Sequence, residues 1–411
     1  MKHVILLSVL LLSVLGMSAQ QSEVYSDRIQ SLQVVAGDKW LSMPVAVLGQ
    51  DAVHIAFDDL THEYRRYTYR LEHCEADWTV SKELFTSDYC EGFSEGLTID
   101  DVQESLNTNV LYTHYRLTLP NEQCRIKLAG NYRLTIIDEN DGERPVLTAC
   151  FMVVQSLAGL RLSMTTNTDA GINNRFQQLE MELSYGALSV TNPGQQLKTV
   201  VLQNGRWDNA VWNSKPQYVM ANGLRWSHDR NLIFPGGNEY RKFEMLDVDH
   251  TTMGLEKMDW DGTYYHAYVE TDEPRRNYVY DESANGSFYI RNSDNVDNDT
   301  QTEYLKAHLT LKSPRLQTPV YVNAAWTLGR FLPKYEMQWD DEEQCYNLTL
   351  LLKQGYYSYT YLTPDARGVM GPVPSEGNFY QTRNNYDALV YYRGVGERTD
   401  RLVGFVELKA R

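Results

Sequence analysis

Short runs of alternating apolar and polar residues, separated by turn residues, recur along almost the whole chain. The run YTYRLEHCEADW, Tyr67 to Trp78, is the most telling. Tyr67, Tyr69, Leu71 and His73 fall on one face, and Thr68, Arg70, Glu72 and Cys74 on the other. A period of two rich in aromatic residues specifies a pleated, half-buried strand, not a helix. The run then enters a Glu75-Ala76-Asp77 turn that ends on Trp78. The same pattern predicts further strands over 32–36, 41–47, 53–57, 64–74, 111–119, 123–128, 132–137 and 146–154. Ala36-Gly37-Asp38, Leu119-Pro120-Asn121, Gly130-Asn131 and Asn140-Asp141-Gly142 mark the turns. This number and spacing of strands is that of an immunoglobulin-like sandwich. One long acidic, Ser-rich connection, 79–109, interrupts it and is expected to hold a short helix near 81–85.

A second unit is expected after Gln155-Ser156, with strands over 160–165, 178–183, 197–202, 242–246, 264–269, 288–291 and 304–311. Asn285-Gly286 predicts a type I′ hairpin there. A third unit is expected after Pro314 or Pro319, with strands over 320–323, 335–338, 345–352, 356–362, 378–381, 388–392 and 402–407. No segment sustains a period of 3.6 with caps. The chain reads as all-β, with two to three tandem immunoglobulin-like β-sandwich domains. Its expected divisions are 1–19, 20–155, 156–313 and 314–411.

The first of these divisions is expected to be a signal peptide. Lys2 and His3 precede an apolar stretch from Val4 to Leu15, and Gly16 to Ala19 supply a small-residue cleavage zone. The stretch is shorter than the roughly 18–20 apolar residues of a membrane span, and no Cys follows it for lipid attachment. Export as a soluble protein, without insertion in the membrane, is the expectation. The balance of 38 basic against 54 acidic residues, net −16, argues against nucleic acid as a partner. Of the five cysteines, Cys74, Cys90, Cys124 and Cys150 could form two bridges in any of three connectivities, and Cys345 is expected to be an unpaired core residue. No CxxC pair suggests zinc.

Candidate chemistry is thin. Gly92-Phe93-Ser94-Glu95-Gly96 matches GxSxG, but lacks the parallel sheet and following helix that expose a nucleophile. Asp281, Ser283, Asn285 and Gly286 imitate the start of an EF-hand loop, yet position twelve is Asn292 where a Glu is needed. The oxygen-rich stretch with Asp294, Asp297 and Asp299 reads better as a solvated loop than as a calcium site. His73 and His114 lie within strands and read as hydrogen-bonded packing residues. Adjacent carboxylates such as Asp58-Asp59, Asp100-Asp101 and Asp340-Asp341 point apart and make no acid/base pair. Tyr357, Tyr359 and Tyr361 share one strand face, which suits a sandwich core better than a sugar-stacking platform. No catalytic residue, cofactor or metal is therefore expected.

The HCxADW ending of the Tyr67–Trp78 run resembles the plug protein family of the type IX secretion system of Bacteroidetes. The resemblance continues in order along the chain. It includes Gly92-Phe93, Ser105-Leu106-Asn107-Thr108, Tyr112-Thr113-His114-Tyr115, Leu119-Pro120-Asn121 and Gly130-Asn131-Tyr132. Further on come Gln203-Asn204 with Trp207-Asp208, Gly236-Gly237-Asn238-Glu239-Tyr240-Arg241, Asn285-Gly286 and Leu352-Lys353-Gln354-Gly355-Tyr356-Tyr357. Asn385-Tyr386 and Tyr391-Tyr392-Arg393 complete it, and Ala129 stands where Ser is expected before Gly130. The resemblance implies a non-enzymatic periplasmic protein, monomeric, held at the outer membrane through its partner. That partner is the type IX translocon barrel, whose periplasmic mouth it would seal. Tyr69, His73, Cys74, Asp77, Trp78, His114, Tyr115, Gly130, Asn131, Tyr132, Asn204, Asn238, Glu239, Arg241, Gly355, Tyr356 and Tyr357 are the family-motif residues, with structural roles expected. The translocon-facing surface is unmarked; the 79–109 connection and the 292–299 loop are its first candidates. The alternative is a periplasmic glycan-binding sandwich protein using the Tyr357 face.

Overall fold

The computed structural model describes residues 22–409; the expected signal peptide lies outside the described residues. Strands dominate, and the helices are single turns such as Thr86–Tyr89 and Pro193–Gln196. Among the described residues no helix is long and apolar enough to cross a membrane.

Three two-sheet sandwiches result. In the first, one sheet runs Glu23–Val24, Arg144–Val154, Gly130–Asp138, Tyr67–Cys74, Glu95–Thr98, with Val45–Val47 parallel to Arg144–Val154. The facing sheet runs Ile29–Ala36, Val53–Asp59, Thr113–Leu119, Asp101–Glu104. The alternation of Tyr67–Cys74 is realised as read: Tyr67, Tyr69 and Leu71 enter the core between the sheets, with Phe57, Tyr115, Tyr132 and Phe151. The helix expected near 81–85 is displaced to Thr86–Tyr89, where Asp88 accepts the Phe85 N–H. The later part of the 79–109 connection forms edge strands of both sheets.

The second sandwich packs Gly159–Thr165, Phe176–Ser184, Gly223–Trp226 and Tyr218–Met220 against Val211–Trp212, Leu197–Gln203, Asn385–Tyr392 and Arg401–Lys409. The third lies wholly between residues 241 and 372. Its five-stranded sheet of Leu255–Trp260, Tyr265–Val269, Tyr304–Leu311, Cys345–Lys353 and Gln338–Asp340 covers a sheet built around Gly355–Pro364. The third sandwich is thus inserted into the second. This corrects the expected break at 313/314. Tyr304–Leu311 pairs across that point with Cys345–Lys353, from Tyr304↔Lys353 to Leu311↔Tyr346. Leu197–Gln203 finds its partner in Tyr386–Tyr392. Alternation tells which face of a strand is buried but not which strand it pairs with, and Pro314 and Pro319 only punctuate a connection within the third unit.

Chain entry and exit of the insertion touch. The Phe379 N–H donates to the Gly237 carbonyl at 2.7 Å, and a Cβ on Gly236 would collide with the Phe379 carbonyl. The strand expected over 378–381 is this irregular return segment. The strand expected over 41–47 shrinks to Val45–Val47. Asn285 and Gly286 have the positive φ of the expected turn, 47° and 92°. The turn leads into Phe288–Ile290, which pairs with Gly355–Tyr357 instead of closing a hairpin.

Candidate functional site: the junction of three sandwiches

The Tyr67–Trp78 run ends where the first sandwich meets the second. Trp78 sits at φ 67°, a conformation costly for a side chain with a Cβ. The Glu75 carbonyl accepts its N–H at 2.9 Å, and Asp77 closes the turn on the Thr79 N–H at 3.1 Å and hydroxyl at 2.6 Å. What holds the strained turn is contact across the junction: Trp78 meets Trp207 edge-on, ring centres 5.6 Å apart. Cys74, Trp78, Val45 and Met152 share one apolar core with Val200, Leu202, Leu389 and Leu402 of the second sandwich. Each such side chain contributes about 1.5–3 kcal/mol when buried, so the interface is a core and not a loose contact.

Polar groups ring this core. His73 places Nε2 3.3 Å from the Ala129 carbonyl, while Nδ1 and the Thr399 hydroxyl flank the Ser81 hydroxyl at 2.9 and 3.0 Å. Burial holds the His73 imidazole below its usual range and so favours its neutral form. Gly130 lies against the edge of this ring, and a Cβ there would collide with Nε2. Glu75 takes the Thr399 hydroxyl and the Asp400 N–H, both at 2.9 Å, and pairs with Arg393. Asp400 takes the Ala76 N–H at 3.1 Å and the Lys198 ammonium at 2.7 Å. Burial works to raise this carboxyl, but Lys198, the Ala76 N–H and Arg393 outweigh it and keep it low. Asn131 donates to the Glu75 carbonyl at 2.9 Å and accepts from Tyr391 at 2.8 Å.

A second lock joins the first sandwich to the third. Asp58, 1% exposed, faces Lys353, 2% exposed, at 2.7 Å. The same carboxylate accepts the Tyr304 hydroxyl at 2.6 Å, and His114 Nδ1 lies 2.7 Å away. Lys353 also donates to the Asp299 carbonyl at 2.7 Å and lies 4.1 Å over the Tyr112 ring. Burial would raise the Asp58 carboxyl, yet Lys353 and His114 hold it below the usual range. Glu303 accepts the Asn109 and Val110 N–H groups, so the end of the 79–109 connection is part of this lock.

The second and third sandwiches are tied at the insertion point. Asn204 and Asn384 bond at 2.8 Å, and Asn238 donates to the Glu376 carbonyl at 2.8 Å. Glu239 takes the Tyr278 hydroxyl at 2.7 Å and the Arg383 N–H at 3.0 Å. Arg241 bridges Asp272 at 2.6 Å and Glu376 at 2.7 Å.

Between the sandwiches lies a cleft of about 240 Å³, walled by Trp40, Met43, Trp207, Phe288 and Leu328, with Asp387 beneath. Burial, with Glu407 nearby, pushes the Asp387 carboxyl up to about 8. Among the described residues no three His, Cys, Asp or Glu side chains gather as metal ligands.

Other sequence candidates resolve as structural. Tyr115 stacks on Phe57, Tyr132 on Phe151, and Tyr69 lies in the first core. Gly355 pairs with Met245 and Ile290 on either side, and Tyr356 with Glu244. Tyr357 stacks on Phe243, and Tyr359 and Tyr361 donate to Asp272 at 2.8 and 2.6 Å. All three are fully buried, which removes the sugar-stacking face. Ser94 lies between two short strands with no helix after it. Asp297 caps its own loop through the Asp299 and Thr300 N–H groups, while Asp299 meets Arg116. Sequence reading named Glu75, Asp58, Lys353 and Arg393 without giving them a junction role, and missed Tyr304 and Asp400. The one available signal was charge inside otherwise apolar strands, at Asp58 and Lys353.

Residues 29–155 match the family model described as type 9 secretion system plug protein, 1st domain. Over those residues the chain belongs to the type IX secretion system plug family. A solved structure of a hypothetical protein from Parabacteroides merdae superimposes with a TM-score of 0.91 at 37% identity, over 95% of this chain and 99% of that one. No curated protein matches it significantly. Membership gives the chain a secretion-associated plug role, in a non-catalytic family and with an envelope location. The matched segment holds the whole HCxADW turn, so this chain's first domain carries its own half of the first lock.

Proposed function

We propose that the chain is a periplasmic plug that binds the periplasmic mouth of the type IX outer-membrane translocon and seals it, without enzymatic chemistry. The family match over residues 29–155 carries the reading. The architecture supports it. A stopper for a pore wide enough to pass folded clients must not deform, and here two ionic locks and a shared core join the three sandwiches. The best-placed surface for the barrel is the first half of the 79–109 connection, where Phe85 and Phe93 stand 73% and 66% exposed. Its second half forms sheet edges and ends at the internal lock, which also holds Asp299.

Tagged protein recovered from gently solubilised membranes carries the translocon barrel on this reading; recovery that never includes the barrel overturns it. Deletion in a strain whose translocon is otherwise open should raise sensitivity to large antibiotics, and unchanged sensitivity counts against sealing.

A further inference from the structure

Cysteine chemistry takes no part in the plug reading, yet two of the five cysteines are placed as a pair. The Sγ atoms of Cys90 and Cys124 lie 3.3 Å apart in the buried interior of the first sandwich. Backbone bonding fixes that approach. Cys90–Gly92 and Cys124–Ile126 form a two-stranded ladder with Cys90 opposite Ile126 and Cys124 opposite Gly92. The ladder continues beyond both sulfurs, through Phe93 N–H to the Gln123 carbonyl and Lys127 N–H to the Tyr89 carbonyl, each 2.9 Å.

We propose that Cys90 and Cys124 are joined by a disulfide in the mature exported protein. Closing the gap to a bond of about 2.05 Å moves each sulfur by only roughly 0.6 Å, within reach of small side-chain rotations. The proton arrangement favours the same pair. The Cys124 thiol hydrogen-bonds Cys90 and, against the opposing effect of burial, draws the Cys90 thiol below its usual range. Cys124 itself is raised by that bond and by burial. By contrast burial pushes Cys74 up to about 12, the behaviour of an inert core thiol.

The oxidant required is a thiol–disulfide exchange protein or a small disulfide of an oxidising compartment. One thiolate of the pair, written here as Cys90, attacks one sulfur of the oxidant's disulfide, forming a mixed disulfide and releasing one oxidant thiolate. Cys124, losing its proton, then attacks Sγ of Cys90 and releases the second. Two protein thiols become one disulfide, and the oxidant's disulfide is reduced to two thiols. Both sulfurs are buried in the folded state, so the exchange accompanies folding after export. The bond would close a loop from Cys90 to Cys124 and brace the base of the segment that displays Phe85 and Phe93. It rests on the envelope location and is independent of pore sealing.

The test uses the full chain exported to a bacterial periplasm, denatured in N-ethylmaleimide without reductant and weighed intact. With five cysteines in the chain, a single bridge leaves three adducts, and prior reduction restores five. Trypsin should yield peptide 83–116 linked to peptide 117–125. Five adducts without reduction, or a bridge between any other pair, overturns the proposal. Reductant should also lower the thermal midpoint of the wild type but not of the Cys90→Ser/Cys124→Ser variant. An equal shift in both would overturn it as well.

Discussion

Replacing Lys353 by Met tests whether the first and third sandwiches are held by charge or by packing alone. Asp58 and Lys353 are almost fully buried and 2.7 Å apart. Removing one partner of such a pair costs about 3–5 kcal/mol, because the remaining charge is left uncompensated. Tyr304 and His114 still bond the carboxylate, which places the expected loss near the lower end, about 3 kcal/mol. That is a large share of the 5–15 kcal/mol that stabilises an ordinary domain. Urea titration followed by tryptophan fluorescence measures it. The pH dependence separates this cause from lost packing. In the wild type the Asp58 carboxyl is held low. Its contribution is therefore complete above the ordinary carboxylate value of about 3.9 and disappears as pH falls through the depressed folded value. Without Lys353, burial pushes the same carboxyl up, so the variant is penalised more at pH 7 than at pH 5. Asp58→Asn/Lys353→Met should recover at least half of the loss. A cost below about 1 kcal/mol at pH 7, or an equal cost at both pH values, would refute the charge argument.

Gly130→Ala drives a methyl group against Nε2 of the His73 ring at a φ of 152°, and should cost at least about 2 kcal/mol. His73→Ala in the same chain should relieve the steric part, as read by thermal melting. Asp387 has the opposite pH signature to Asp58. Its carboxyl, pushed up to about 8, stays protonated in the fold while the unfolded chain ionises, so stability falls between about pH 4 and 8 by at most ~1.4 kcal/mol per unit. Asp387→Asn should flatten that slope in urea titrations, and an unchanged slope would show that another group sets it. Phe85→Glu and Phe93→Glu act on exposed side chains and should leave stability within about 0.5 kcal/mol. Together they should reduce barrel recovery in pull-downs; full recovery would move the docking surface elsewhere.

Most of the strand content was legible because burial has a period of two wherever one sheet face meets a core. Tyr67, Tyr69 and Leu71 point inward as their spacing requires, and Tyr357, Tyr359 and Tyr361 do the same in the third sandwich. Pairing was not legible. Leu197–Gln203 lies beside Asn385–Tyr392, and nothing local in either strand names the other. The junction was hidden for the same reason. Glu75 is a turn residue with a charged side chain, and in sequence it is indistinguishable from solvated acid. Its partners Arg393, Thr399 and Asp400 lie more than three hundred residues away. The nesting gives that distance a mechanical consequence. The segment that closes the second sandwich also closes the first lock, through Tyr391 on Asn131 and Asp400 on Ala76. The lock on the HCxADW turn therefore draws half of its residues from chain that follows the inserted third sandwich. Tyr391→Phe, which removes one hydrogen bond worth about 1 kcal/mol, should loosen the junction while leaving the first sandwich folded. Hydrogen exchange should then rise at Glu75–Thr79 and Thr399–Leu402 but not at Tyr132–Ile136. Uniform exchange across all three segments would mean that the sandwiches unfold as one unit, and that the turn is not a separable lock.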